Sequence, residues 1–254
     1  APASDGLTRP EGNTDSYFQW LGSDGKLYAP GDSVPADVIK LTAQFDEQFT
    51  LTPGGVYYFD LSGVSIPGTA NGSLPDKTMH YVPFTYAGTV DAYKLTSEMA
   101  TTEEYAQQNE YAHSLFVADY AVTHAVSWDN LNAEGLIFGK GYATGSVDYT
   151  LRAPSGGSGG TGSGALERGT PQSNEWDRIL DKDDGYIKNW RNIGSWGQDT
   201  LPNTLSNRVI RGRYDLPRKY AGANTTLSFP FLGFRPVLEV LNPGTLGSDG
   251  HTGL

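Results

Sequence analysis

Only one stretch of this chain carries a strong helical period, and it is short. In SNEWDRILDKDDG (173–185), Trp176, Ile179 and Leu180 recur at i, i+3 and i+4, so they share one helix face. Ser173 is placed to cap the start. Glu175 lies in the first turn, where the helix dipole favours a carboxylate, and Gly185 follows Lys182 as a stop. Elsewhere, aromatic and β-branched runs alternate with Gly, Pro and Asp turn signals. With 32 glycines in 254 residues, this pattern excludes a helical bundle and predicts a loop-rich, β-containing domain.

Strands are expected near Tyr17–Leu21 and Val38–Phe45, then around a turn at Pro53-Gly54-Gly55. HYVPFTYAG (80–88), VDAYKLT (90–96), SLFVADYAVTHAVSW (114–128), NRVIRG (207–212) and LGFRPVLEVLN (232–242) follow as strands. TTEEYAQQNEYAH (101–113) has a capping threonine and early glutamates, so it reads as a short helix or exposed loop. WDNLNAEGL (128–136) reads as one or two helical turns ended by Gly135. PSGGSGGTGSGALERG (154–169) reads as a flexible surface loop by composition.

A net charge of −11 argues against sequence-independent nucleic-acid binding, which needs cationic side chains to displace counterions. It also disfavours anionic membranes. The chain has no cysteine, which removes disulfides, thiolate nucleophiles and cysteine-bound metals. No apolar run approaches the ~20 residues of a spanning helix. His80, His113, His124 and His251 lack metal-ligand spacing, so no metal site is expected. DKDDG fails the EF-hand pattern because its fifth position is Gly185. Gly156-Gly157-Ser158-Gly159-Gly160 fits the G-x-S-x-G string but lacks the flanking strand and helix of a nucleophile elbow.

Phe18, Trp20, Asp24-Gly25-Lys26-Leu27-Tyr28, Pro30-Gly31-Asp32 and Leu41–Phe45 resemble the second half of a small β-repeat of Gram-positive surface proteins. Further on, three motifs fall in order. Gly169-Thr170-Pro171 with Ser173–Trp176 opens a helix, Arg208–Gly212 forms a strand, and Gly233-Phe234-Arg235-Pro236-Val237 closes the series. This order resembles the C-type lectin-like fold of formylglycine-generating-enzyme relatives. The resemblance implies an α+β, C-type lectin-like domain over 53–241, a small N-terminal β segment over 1–46 and a linker tail over 242–254. The enzyme branch uses cysteine pairs for copper-dependent oxidation, so its chemistry does not carry over to a chain without cysteine. The non-enzyme branch includes variable proteins of diversity-generating retroelements, which display ligands' contacts late in the domain.

The resemblance implies scaffold roles for Trp176, Trp190, Trp196, Arg208, Gly212, Gly233, Phe234 and Arg235. Among these, Trp190 and Trp196 are expected to be buried. It implies ligand contacts from Tyr186, Asn189, Arg191, Asn192, Arg213, Tyr214 and Asp215. Arg208, Arg211, Arg213, Arg218 and Lys219 crowd one segment. They either offset nearby carboxylates or meet an anionic ligand, Arg213 foremost. The expected function is non-catalytic adhesion or reception by a bacterial surface protein. Its partner would be a protein or carbohydrate on a cell or phage surface, met outside the cell. Signal and anchor would lie outside this segment. No cofactor is expected, although loops of this fold sometimes hold a structural calcium ion. The competing readings are a divergent enzyme on the same scaffold and a structural stalk.

Overall fold

The computed structural model describes residues 19–28, 32–44, 53–90, 113–144 and 147–240. The first strands are β1 (Gln19–Gly22), β2 (Leu27–Tyr28), β3 (Leu41–Gln44), β4 (Val56–Phe59), β5 (Thr69–Ala70) and β6 (Val82–Val90). Next come β7 (His113–Ala118), β8 (Thr123–His124), helix α1 (Trp128–Ala133), β9 (Lys140–Thr144) and β10 (Val147–Arg152). Then follow β11 (Gly159–Thr161), β12 (Arg168–Thr170) and helix α2 (Glu175–Lys182). The last strands are β13 (Gly194–Leu201), β14 (Thr204–Arg213), β15 (Leu216–Asn224), β16 (Leu232–Phe234) and β17 (Val237–Val240).

Seventeen strands against two helices of six and eight residues, among the described residues, correct the expected α+β class to a β-rich fold. The difference arises because the helical period spans little more than two turns. Meanwhile segments that look like loops, 159–170 above all, find strand partners.

Two six-stranded sheets carry the architecture, ordered β4-β6-β7-β17-β10-β9 and β15-β14-β13-β16-β8-β5. Between them lies the main core, with Phe84, Phe116, Leu151 and Leu238 from the first sheet facing Trp196, Ile210, Leu232 and Phe234 from the second. Side chains alternate across a strand. So Leu115 and Val117 of β7 point the other way, where α2 covers them with Trp176, Ile179 and Leu180. Those three are at most 2% exposed, and their burial is worth roughly 5–9 kcal/mol in transfer free energy. The stretch 114–128 is therefore two strands in two sheets, with the chain crossing over at 119–122.

The start of α2 is set one residue later than Ser173. Asn174 caps it, accepting a hydrogen bond from the Asp177 amide at 3.0 Å. Asp183, rather than Gly185, closes it. Helix α1 ends as its sequence predicts. Gly135 takes a positive φ, and the Leu136 amide donates to the Leu131 carbonyl.

Under α2 lies a buried ionic cluster. The Arg152 guanidinium pairs with Glu175 and with Glu239, and His113 lies 3.8 Å from Glu239. His113, Glu175 and Glu239 hold ligand-type atoms within 4.8 Å of one another. Arg152 already supplies positive charge there, and the two carboxylates hold it well above the ordinary arginine range against its burial.

The start of the glycine-rich 154–169 run is corrected from a flexible surface loop to packed structure, whereas 160–166 lies mostly exposed. Residues 154–158 are buried, and β11 pairs with β12. Glycine is needed for close approach: a Cβ on Gly169 would lie 2.1 Å from the Gly156 carbonyl oxygen. The amides of Gly156 and Gly157 donate to the buried Asp199 carboxylate at 2.6 and 3.1 Å. Burial pushes Asp199 up to about 6, with nearby Glu175 adding to the rise.

At the N-terminal side, β2-β1-β3 form a small sheet whose Trp20 and Tyr28 pack with Tyr58 and Tyr81. The expected strand 90–96 beyond Val90, the helix or loop at 101–113 up to residue 112, His251 and the tail 242–254 lie outside the described residues. So do Phe18, Pro30, Gly31 and Phe45 of the repeat-like segment. No helix among the described residues is long and apolar enough to cross a membrane.

Candidate functional site

The β14–β15 connection is a two-residue hairpin turn between the paired residues Arg213 and Leu216. Its central residues, Tyr214 and Asp215, have φ of 54° and 62°. Both positive, these match the primed turn that suits the twist of a hairpin, where Asn-Gly is the usual occupant. Placing a tyrosine there costs roughly 1–2 kcal/mol of backbone strain. Arg213, at φ 136°, precedes it, and Gly212 at φ 71° forms a bulge. A Cβ on Gly212 would sit 3.2 Å from the Trp176 ring, so the bulge rests on the buried helix.

Two further segments are stitched to this turn. The Tyr214 amide donates to the Arg191 carbonyl at 3.2 Å, and Arg191 forms an ion pair with Asp215. The Gly194 amide donates to the Phe231 carbonyl at 2.8 Å. The Arg213 guanidinium lies over Tyr214 at 4.2 Å and over Phe231 at 3.6 Å, and Phe231 stacks on Phe229 with ring centroids 5.3 Å apart. Tyr214 is 62% exposed and Phe229 46%. The result is one surface built from 189–192, 213–215 and 229–231.

Six of the seven sequence-predicted ligand residues fall in this surface: Asn189, Arg191, Asn192, Arg213, Tyr214 and Asp215. Arg213 is half-buried and the others are exposed. Tyr186 is not among them. It is half-buried in the 3-10 turn Asp184–Tyr186 and packs with the cluster under α2, close to Gly54. The sequence reading missed Phe229 and Phe231. Their signal is the Phe-Pro-Phe run ahead of Gly-Phe-Arg: a turn closed by the Leu232 amide donating to the Phe229 carbonyl at 2.9 Å brings the two rings together.

Behind the surface stands the frame. Arg235 is fully buried and donates to the carbonyls of Ala118, Asp119 and Asn189 at 2.6, 2.6 and 3.1 Å. Its burial lowers its pKa to about 10, with Asp119 opposing the shift. Asp119 is itself pushed up by burial, opposed by Lys188 and the Thr85 hydroxyl. Trp176 and Trp196 are fully buried, and their indole N–H groups donate to the Pro217 and Val126 carbonyls. Trp190 is only half-buried, a correction to its expected burial: it packs at the margin of the cluster under α2. Phe234 is fully buried, and a Cβ on Gly233 would strike Ile193 at 2.4 Å. Arg208 donates to the Leu205 and Asn207 carbonyls and lies 4.4 Å over the Trp128 ring.

The five crowded basic residues separate cleanly. Arg211 is buried against Asp177, Arg218 serves Asp181 and Asp184, and Lys219 pairs with Glu167. Arg208 uses its Nη1 on two backbone carbonyls. Asp181 and Asp184 of the DKDDG run are thus taken by arginines, and Asp183 accepts from the Gly185 amide. Ser158, inside the G-x-S-x-G string, donates to the Thr170 carbonyl and leads into strand β11, not into a helix. Set beside protein-family models, curated proteins and solved structures, the chain matches none.

Proposed function

We propose that this chain is a non-catalytic, adhesin- or receptor-like binding module of a bacterial surface protein. It meets a ligand outside the cell through the surface formed by 189–192, 213–215 and 229–231. One observation carries this reading. Six described non-glycine residues have positive φ, and four of them, Asn189, Arg213, Tyr214 and Asp215, lie together in this surface. Strained backbone persists where something other than stability selects it, and it clusters at ligand-contacting sites. Here the strain holds aromatic and cationic side chains outward, the residue types that anchor interfaces.

The resemblance to lectin-like variable proteins supports the same role, because it implies ligand contacts from the same late loops. Its finer form, diversification by a retroelement, is tested at the coding locus. A reverse transcriptase gene beside a near-identical template repeat supports it, and a locus with neither removes it.

The binding reading is tested on protein and glycan arrays spanning bacterial, phage and host surfaces. Wild type is compared with Tyr214→Ala and Phe229→Ala, each confirmed folded by urea melt. Retained folding with lost array binding supports the reading. Array signals that neither variant changes place binding elsewhere and overturn it.

A further inference from the structure

Arg213 differs from seven other described arginines. Arg152, Arg168, Arg191, Arg211 and Arg218 each pair with a carboxylate, and Arg208 and Arg235 donate to backbone carbonyls. Arg178 also has an interacting partner. The Arg213 guanidinium makes neither a hydrogen bond nor an ion pair with any described residue; its contacts are the rings of Tyr214 and Phe231. In a chain with 29 acidic residues to 18 lysines and arginines, a guanidinium with neither a carboxylate nor a carbonyl partner stands apart from these seven.

At 3.6 Å from the Phe231 centroid, a planar guanidinium is in van der Waals contact and must lie nearly flat on the ring. Its N–H donors lie in its own plane, so stacking leaves them unspent. Aromatic contact therefore restrains the side chain and removes part of its hydration without neutralising it. Much of the entropy that an arginine loses on gripping a partner has already been given up in the free protein.

We propose that Arg213 is a preorganised receptor for a carboxylate, and that the carboxylate is an Asp or Glu side chain of a partner protein. This rests on the binding role assigned above to the same surface. Charge complementarity is local: the guanidinium fork donates to both carboxylate oxygens, while the exposed Tyr214 and Phe229 rings cover the flanking apolar area. A hairpin tip is convex, and its Tyr and Arg, with Asn189 and Asn192 alongside, are residue types enriched in protein-recognising paratopes. An acidic saccharide is the alternative source of the same group.

The test pans a random dodecapeptide display library against the immobilised chain and assays every selected peptide on Arg213→Gln and Tyr214→Ala, the survivors being those that Arg213→Gln no longer binds. The expected survivors carry Asp or Glu. Changing that acid to Asn or Gln weakens binding to wild type about tenfold or more, and binding to Arg213→Lys is weak because the planar fork is gone. Survivors without an acid, or peptides that bind wild type and Arg213→Gln equally, overturn the proposal. So does binding confined to uronic or sialic acid glycans on an array. Tyr214→Ala separates this proposal from the reading beneath it. Peptides lost with Tyr214→Ala but kept with Arg213→Gln defeat the carboxylate receptor and spare the binding surface. Peptides indifferent to both changes defeat both.

Discussion

Arg235 donates a 3.1 Å hydrogen bond to the carbonyl oxygen of Asn189, tying the residue after β16 to the 189–192 segment of the candidate binding surface. The same guanidinium holds the Ala118 and Asp119 carbonyls at the end of β7. One buried side chain thus fixes the 189–192 loop against the sheet that supports it.

Arg235→Leu removes these donors and leaves buried carbonyls without partners. Its unfolding free energy in urea is expected to drop by about 3 kcal/mol or more. Arg235→Lys keeps the charge but loses the fork, so it is expected to fall between the two. Equal stability of Arg235→Leu and the parent would remove Arg235 from the frame.

Tyr214→Gly relieves a left-handed backbone position but loses a cation–π contact worth roughly 0.5–1 kcal/mol. These terms oppose each other, so stability is expected to stay within about 1 kcal/mol of the parent. Array binding is expected to disappear. A melting curve beside a binding curve separates the two effects, and unchanged binding counts against the turn.

Asp199 is buried, and its folded pKa stands near 6 against an ordinary 3.8. The fold therefore prefers the neutral carboxyl. Its contribution is present in full below pH 3.8 and is lost as pH rises through about 6. The difference amounts to about 3 kcal/mol between those limits. Asp199→Asn is expected to flatten the fall in stability over that window, read from urea melts at each pH. Parallel pH profiles for parent and variant would show that Asp199 does not titrate there.

Gly169→Ala would place a Cβ 2.1 Å from a backbone oxygen, with no flexible side chain to yield. It is expected to destabilise by more than about 3 kcal/mol and to expose the 154–169 run to protease. Gly164→Ala, in open space at φ 58°, is the control and should cost about 1–2 kcal/mol from its backbone alone. Similar losses in the two variants would mean that the glycine-rich run is not packed as described.

Much of the candidate site was legible in the residues. Trp176, Ile179 and Leu180 announced a buried helix face because periodicity is local, needing only eight residues to register. The late Asn, Arg, Tyr and Asp side chains were pointed to by the resemblance, whose framing motifs bracket them. Tyr186 misled, since nothing local says that Gly54, far away in sequence, leaves room for its ring. Phe229 and Phe231 were passed over because exposure belongs to the fold and not to the residue type.

The sequence by itself determined where the short helix forms, that strands and tight turns fill much of the remainder, and that thiol chemistry is excluded. Tertiary structure alone decided which arginines are spent. Arg152 meets Glu239 across 87 residues and Arg211 meets Asp177 across 34, whereas Arg213 meets only rings. It also turned the start of a glycine-rich run from an apparent flexible surface loop into packed backbone. Both outcomes depend on which distant segments the sheets bring within a few ångströms. Composition and spacing along the chain carry no direct record of that distance.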